Sequence, residues 1–165
     1  MKLACISAEG RGETDRILAQ TVALLEQNGM RTAGIVKVLE HDSTFANGCD
    51  MVVRVLPDGP EIKITQSLGE GSDACRLDPG AIAHAVSTVE STDLDGAEVF
   101  ILNKFGPEEA AGRGFCAVIG KALERDIPVL VGVGASRENF DKFAAGLATD
   151  LPANPDAINA WCLAT

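Results

Sequence analysis

The stretch ISAEGRGETDRIL, Ile6 to Leu18, decides how this chain is read. Before it stands the short apolar run KLACIS. Within it Gly10 and Gly12 lie one residue apart, and after them apolar residues return at helical spacing. Strand, glycine loop and helix is the layout that leaves open backbone N–H groups at a helix start, where an anion is favoured. A phosphate-binding loop would place a lysine at the end of the turn, and this chain has Glu13 there. The stretch is therefore either a binding loop with altered chemistry or a plain strand-to-helix turn.

The flanking sequence extends the same alternation. In ETDRILAQTVALLEQNG, Ile17, Leu18, Val22 and Leu25 form one apolar stripe, and Asn28-Gly29 ends it. RTAGIVKVLE reads as a second strand and HDSTFANGCD as a polar loop. MVVRVL and EIKITQ flank PDGP, a hairpin signature that reads as an antiparallel insertion. SLGEGSDACR reads as a second loop. DPGAIAHAVSTVE reads as a helix, capped by Asp78 with Pro79 at its first position. AEVFILN and IPVLVGVG read as strands around one helix, PEEAAGRGFCAVIGKALERD. SRENFDKFAAGLATDL and PDAINAWCLA read as closing helices. Strands alternating with helices predict an α/β fold with a mainly parallel sheet covered on both faces.

Composition narrows the function. At 165 residues and 46% hydrophobic, the chain suits a single domain spanning 1–165 with a sizeable core. A net charge of −10 with no Tyr and 4% aromatics excludes the basic, stacking surface that nucleic acid requires. No apolar run approaches the roughly 20 residues of a membrane span, and MKLACISAEG lacks the features of a signal peptide. The expected location is cytoplasmic. The five cysteines are scattered without a C-x-x-C pair, and His41 and His84 are the only histidines, so no metal site is expected.

Three motifs carry chemistry. A Walker A loop reads G-x-x-x-x-G-K-[ST], its backbone and lysine wrapping phosphates while its hydroxyl holds Mg²⁺. In that frame the positions run from Ser7 to Thr14. Gly12 and Thr14 match, whereas Ser7 and Glu13 replace the first glycine and the lysine. A carboxylate at position 13 is expected to repel phosphate, with Arg11 as an offsetting cation at the loop tip. The second motif is NKFGPEEAAGRG. Ligands of open α/β sheets collect at the carboxyl ends of strands. Asn103 and Lys104 fall at one such end, with Asn103 where a Walker B acid would hold Mg²⁺. N-K-x-D would read guanine, but Gly106 occupies its last position. Pro107, Glu108 and Glu109 are explained by a helix start, and Glu109 is expected to pair with Arg113 four residues on. Third, Cys75 and Arg76 precede a helix start, without the wider spacing that a cysteine phosphatase needs.

LNKFGPEEAAGRGF, CRLDPGAIAHA and FAAGLATDLPANPDAINAW together resemble the bacterial domain-of-unknown-function family 2478, over nearly the whole chain. That family is similar to the small P-loop nucleoside-triphosphatases of the THEP type. The resemblance implies their three-layer fold with its antiparallel hairpin. In active relatives the strand matching VFILN ends in D-E-x-G. Its acid falls at Asn103 here, its glycine at Gly106, and the Walker lysine at Glu13. Some members are encoded beside molybdate transport, which implies an oxyanion- or molybdenum-linked role.

Three functions remain open. The first is a regulatory protein that binds a nucleotide or small oxyanion without efficient hydrolysis. Gly10, Arg11, Gly12 and Thr14 would form the loop, and Lys104 and Arg113 would supply charge. The second is a nucleoside-triphosphatase in which Lys104 replaces the Walker lysine and Glu109 positions water, with Mg²⁺ and nucleotide as its cofactors. The third is a partner-binding module, with a protein partner or a second copy on a vestigial site.

Overall fold

The computed structural model describes residues 1–42, 50–68 and 75–164. Seven strands form the main sheet. In chain order, β1 is Leu3–Ile6, β2 Thr32–Lys37, β3 Val52–Leu56 and β4 Glu61–Lys63. After the pair β5 (Thr65–Ser67) and β6 (Cys75–Leu77), the sheet resumes with β7 (Val99–Leu102), β8 (Val129–Gly132) and β9 (Ala148–Asp150). The order across the sheet is β4-β3-β2-β7-β8-β1-β9. Strands β2, β7, β8, β1 and β9 run parallel, and β3 and β4 continue the sheet antiparallel.

The helices are α1 (Glu13–Gln27), α2 (Pro79–Ser91), α3 (Pro107–Ala110), α4 (Cys116–Glu124), α5 (Arg137–Ala144) and α6 (Pro155–Leu163). Side chains alternate across a strand, and both faces of this sheet are buried. Ala4, Ile6, Val99, Ile101 and Leu130 pack with Ile17, Leu18, Val22 and Leu25 of α1 and with Ile158 of α6. Leu3, Cys5, Phe100, Leu102, Val129 and Val131 face the other way, onto α2, α4 and α5. That is the expected three-layer α/β arrangement, and it explains why the central strands read as continuous apolar runs rather than alternating ones.

Several local expectations hold. The stripe Ile17, Leu18, Val22 and Leu25 is the buried face of α1. Asp78 Oδ1 accepts from the N–H groups of Gly80 and Ala81, capping α2. β3 and β4 pair around Asp58-Gly59, closed by Gly59 N–H to Val55 O at 2.8 Å.

The antiparallel hairpin is present as expected, and β3 pairs with β2, so it carries the main sheet outward. Other expectations are corrected. The hairpin's second arm stops at Lys63, and Thr65–Ser67 turns away to pair with Cys75–Leu77. The segment read as one helix after VFILN is two, because the chain between α3 and α4 turns through Gly112 and Gly114. Gly114 has φ +57°, and a Cβ there would lie 2.1 Å from Glu109 Oε1, so close packing as well as backbone conformation requires glycine. The helix of SRENFDKFAAGLATDL ends at Ala144, and Ala148–Asp150 becomes edge strand β9 beside β1. The loops read in HDSTFANGCD and SLGEGSDACR fall largely outside the described residues.

Candidate functional site

The loop from β1 to α1 opens at the carboxyl end of the parallel strands. Gly12 holds φ +76° and serves as the N-cap of α1, a conformation that costs glycine no steric strain. Glu13 N–H bonds Gly10 O at 3.3 Å, and no side chain caps this helix start, which leaves the other N–H groups of its first turn open to the loop. Thr14 Oγ1 accepts from Ala8 N–H at 3.0 Å and ties the loop to the first turn. Ala8, Gly10, Gly12, Thr14 and Asp15 line one side of a cavity of about 180 Å³; Asn103, Lys104 and Gly134 line the other.

Strand β7 delivers the second wall. Asn103 and Phe105 are both buried, so Lys104 between them is turned outward. Phe105 is fixed by an edge contact with Phe140, centroids 5.4 Å apart, and by its N–H to Gly132 O at 2.8 Å. Lys104 lines the cavity and makes no hydrogen bond or ion pair among the described residues.

Asn103 is locked in place. Its Oδ1 accepts from Lys37 N–H at 2.9 Å, and its Nδ2 donates to Asp15 Oδ1 at 2.9 Å. Asp15 Oδ2 in turn pairs with Lys37 Nζ at 3.1 Å. Asp15 and Lys37 are site residues that sequence reasoning missed. The signal was faint: a lysine at the end of the second strand, and an acid one position beyond the Walker hydroxyl.

Glu13 is not where a Walker lysine would reach. It lies along the outside of α1 against Arg16, whose Nε is 2.9 Å from Glu13 Oε1, and it does not line the cavity. That bond holds the Glu13 carboxyl below its usual range. The expected repulsion of phosphate is thereby reduced, because the negative charge is turned out of the cavity and neutralised by its neighbour three residues on.

The remaining sequence candidates separate. Arg11 is exposed at the loop tip, outside the cavity lining. Arg113 pairs with Glu108, at 2.8 and 3.1 Å, rather than with Glu109, and lies outside the cavity. Glu109 is buried. Its Oε2 accepts from Gly106 N–H and its Oε1 from Phe115 N–H, both at 3.0 Å. This is the carboxylate half of a capping box together with a clamp on the following turn. The α3–α4 break gives Glu109 this structural task, which no period-based reading of one long helix could foresee. Arg76 is exposed on β6. Among the described residues no group of three or more His, Cys, Asp or Glu is arranged to hold a metal. No helix of the described residues is long and apolar enough to cross a membrane.

Comparison with known proteins agrees with this architecture. The solution structure of a human cancer-related nucleoside triphosphatase superposes with a TM-score of 0.62, over 91% of this chain and 87% of that one, at 14% identity. The fold is thus that of the P-loop nucleoside-triphosphatases. A molybdenum import ATP-binding protein, ModC 2 of Bradyrhizobium diazoefficiens, is 33% identical over 163 residues; the match takes in 97% of this chain and 18% of the relative. This chain therefore spans less than a fifth of that protein's length. Residues 3–161 match the family described as protein of unknown function DUF2478, and the chain belongs to that family.

Proposed function

We propose that this domain binds a nucleotide or small oxyanion in the cavity between the β1–α1 loop and the end of β7, and that it acts as a regulatory element without efficient hydrolysis. One observation carries the reading. The glycine loop, the uncapped start of a 15-residue helix and the unpaired Lys104 face one cavity. Helix-start N–H groups and a lysine are the donors an anion needs. Lys104 here does from β7 what the Walker lysine does from the loop. Gly10, Gly12 and Thr14 shape the cradle, and Asp15 and Lys37 brace Asn103 behind it.

Catalysis is a separate demand. Phosphoryl transfer relies on charge stabilisation by a loop lysine and a metal-linked acid. Asn103 stands at the acid's position and is committed to Asp15 and to Lys37 N–H. Little phosphate release from ATP or GTP with Mg²⁺ is the expected result. A molybdenum-linked oxyanion is the ligand class favoured by the similarity to the molybdenum import ATP-binding protein. The cytoplasm is the matching compartment.

A second reading draws on the same lysine. Because Lys104 lines the phosphate cavity, it could assist hydrolysis as well as binding. Steady turnover with Mg²⁺–ATP, abolished by Lys104→Ala, would replace the regulatory reading with this one. A thermal-shift panel of ATP, GTP, molybdate, sulfate and phosphate, each with and without Mg²⁺, tests the binding. Stabilisation by at least one of these anions is expected. No shift with any of them, up to millimolar concentrations, contradicts the proposal.

A further inference from the structure

A second and larger cavity lies on the opposite side of Asn103. It encloses about 370 Å³ between the sheet and α2, at the same end of the strands. Its walls include Ile35, Val53, Ile82, Leu77 and Phe115. Protein interiors pack densely, with few voids larger than a water molecule. A cavity of this size falls within the range of ordinary small-molecule sites, roughly 300–1,000 Å³, and apolar walls with few polar groups are typical of them.

The charges at its edge select the occupant. Glu109, Lys37 and Lys104 all line it. The Glu109 carboxylate is taken up by the N–H groups of Gly106 and Phe115, and Lys37 is paired with Asp15. Lys104 alone of these three has no partner among the described residues. Asn103, buried and held from both sides, is a fixed partition between the two cavities, while the exposed Lys104 borders both.

We propose that this cavity is a second ligand site, taking a small amphipathic anion. Its aromatic or branched apolar body would lie between Ile35, Val53 and Ile82, with one carboxylate, sulfonate or phosphate head on Lys104. The inference shares Lys104 with the loop reading but rests on the walls of this cavity. An anion on Lys104 from one side removes the free charge available to the other. Ligands of the two cavities therefore antagonise one another.

The probe is 8-anilinonaphthalene-1-sulfonate, an aromatic body with one anionic head, added to the folded chain carrying ¹³C-labelled Ile and Val methyl groups. The expected result is binding at one site, with shifts of the Ile35, Val53 and Ile82 methyls and none at Ile17 or Val22 on the far face of the sheet. Lys104→Ala should weaken the sulfonate by about tenfold or more, as loss of a charge-assisted bond implies. Uncharged N-phenyl-1-naphthylamine should bind both proteins alike. Absence of binding, shifts confined to the far face, or equal sulfonate affinity in Lys104→Ala overturns the inference. Inorganic phosphate titrated into the same samples, read at the Ala8 and Gly12 amides, reports separately on the loop. Failure of phosphate with retention of the sulfonate would sink the loop reading and leave this one standing.

Discussion

Asn103 Nδ2 donates to Asp15 Oδ1 at 2.9 Å, joining the end of β7 to the first turn of α1 across 88 residues of sequence. The bond sets the spacing between the two walls of the loop cavity. It also places an amide, not a second acid, beside the Asp15 carboxylate.

Asn103→Asp is the direct probe of that relationship. It would put two carboxylates within hydrogen-bonding distance and remove a donor. Neighbouring like charges raise one carboxyl pKa, so the pair is relieved by a shared proton. The substitution should destabilise the fold by about 1–3 kcal/mol at neutral pH. Urea unfolding at several pH values should show the deficit shrinking as the medium is acidified. An unchanged or rising stability at neutral pH would mean the Asn103–Asp15 contact does not hold the loop.

Glu109 gives a second test. Both of its carboxylate oxygens serve buried backbone N–H groups, and Gly114 leaves them room. Glu109→Ala leaves two donors unsatisfied and should cost about 2–4 kcal/mol. Glu109→Gln keeps one acceptor and should cost roughly half as much. Equal stability of all three proteins by thermal unfolding would contradict the structural role.

The thiol of Cys5 titrates in a predictable direction. Burial and the adjacent Asp150, whose Oδ1 accepts from Sγ at 3.1 Å, push it from its ordinary 9.0 up to about 12. A raised pKa means the folded state keeps a proton that the unfolded chain loses. The associated stability is fully present below pH 9 and declines as pH rises toward 12. Cys5→Ser, which keeps a donor for Asp150 but does not titrate in this range, should flatten that decline. The melting temperature followed from pH 8 to 10.5 checks it. Parallel curves for the two proteins would remove Cys5 as the cause.

Much of this was legible in the sequence, and the remainder has specific reasons. The stripe on α1, the cap at Asp78 and the apolar runs of β1, β7 and β8 follow from period and turn chemistry, which act locally. The strand Ala148–Asp150 did not, because three residues against an edge carry no periodic signal. The sequence places Gly10, Gly12, Thr14 and Lys104 at one end of the sheet, and they share a cavity, since strand ends and helix starts meet at one side of such sheets. Helical spacing pairs Arg113 with Glu109, and the turn through Gly112 and Gly114 gives it to Glu108 instead. Asp15 and Lys37 escaped notice because their pairing depends on the packing of α1 against β2.

Glu13→Lys tests how much the loop's altered chemistry matters. The Glu13 carboxylate is held by Arg16, so the substitution frees Arg16 and adds a cation at the helix start. Phosphate or nucleotide affinity should rise several-fold. Calorimetry showing no binding to either protein would make the loop a turn and nothing more.

In the proposed function, Lys104 supplies, from just beyond β7, the charge that draws an anion to the loop. Isothermal titration of ATP and of molybdate into the wild type and Lys104→Ala measures it most directly. A charge-assisted hydrogen bond contributes about 1.5–3 kcal/mol, so the dissociation constant of the anion that binds should rise about tenfold or more in the variant. Equal affinity in the two proteins, with the variant fully folded, would contradict the account.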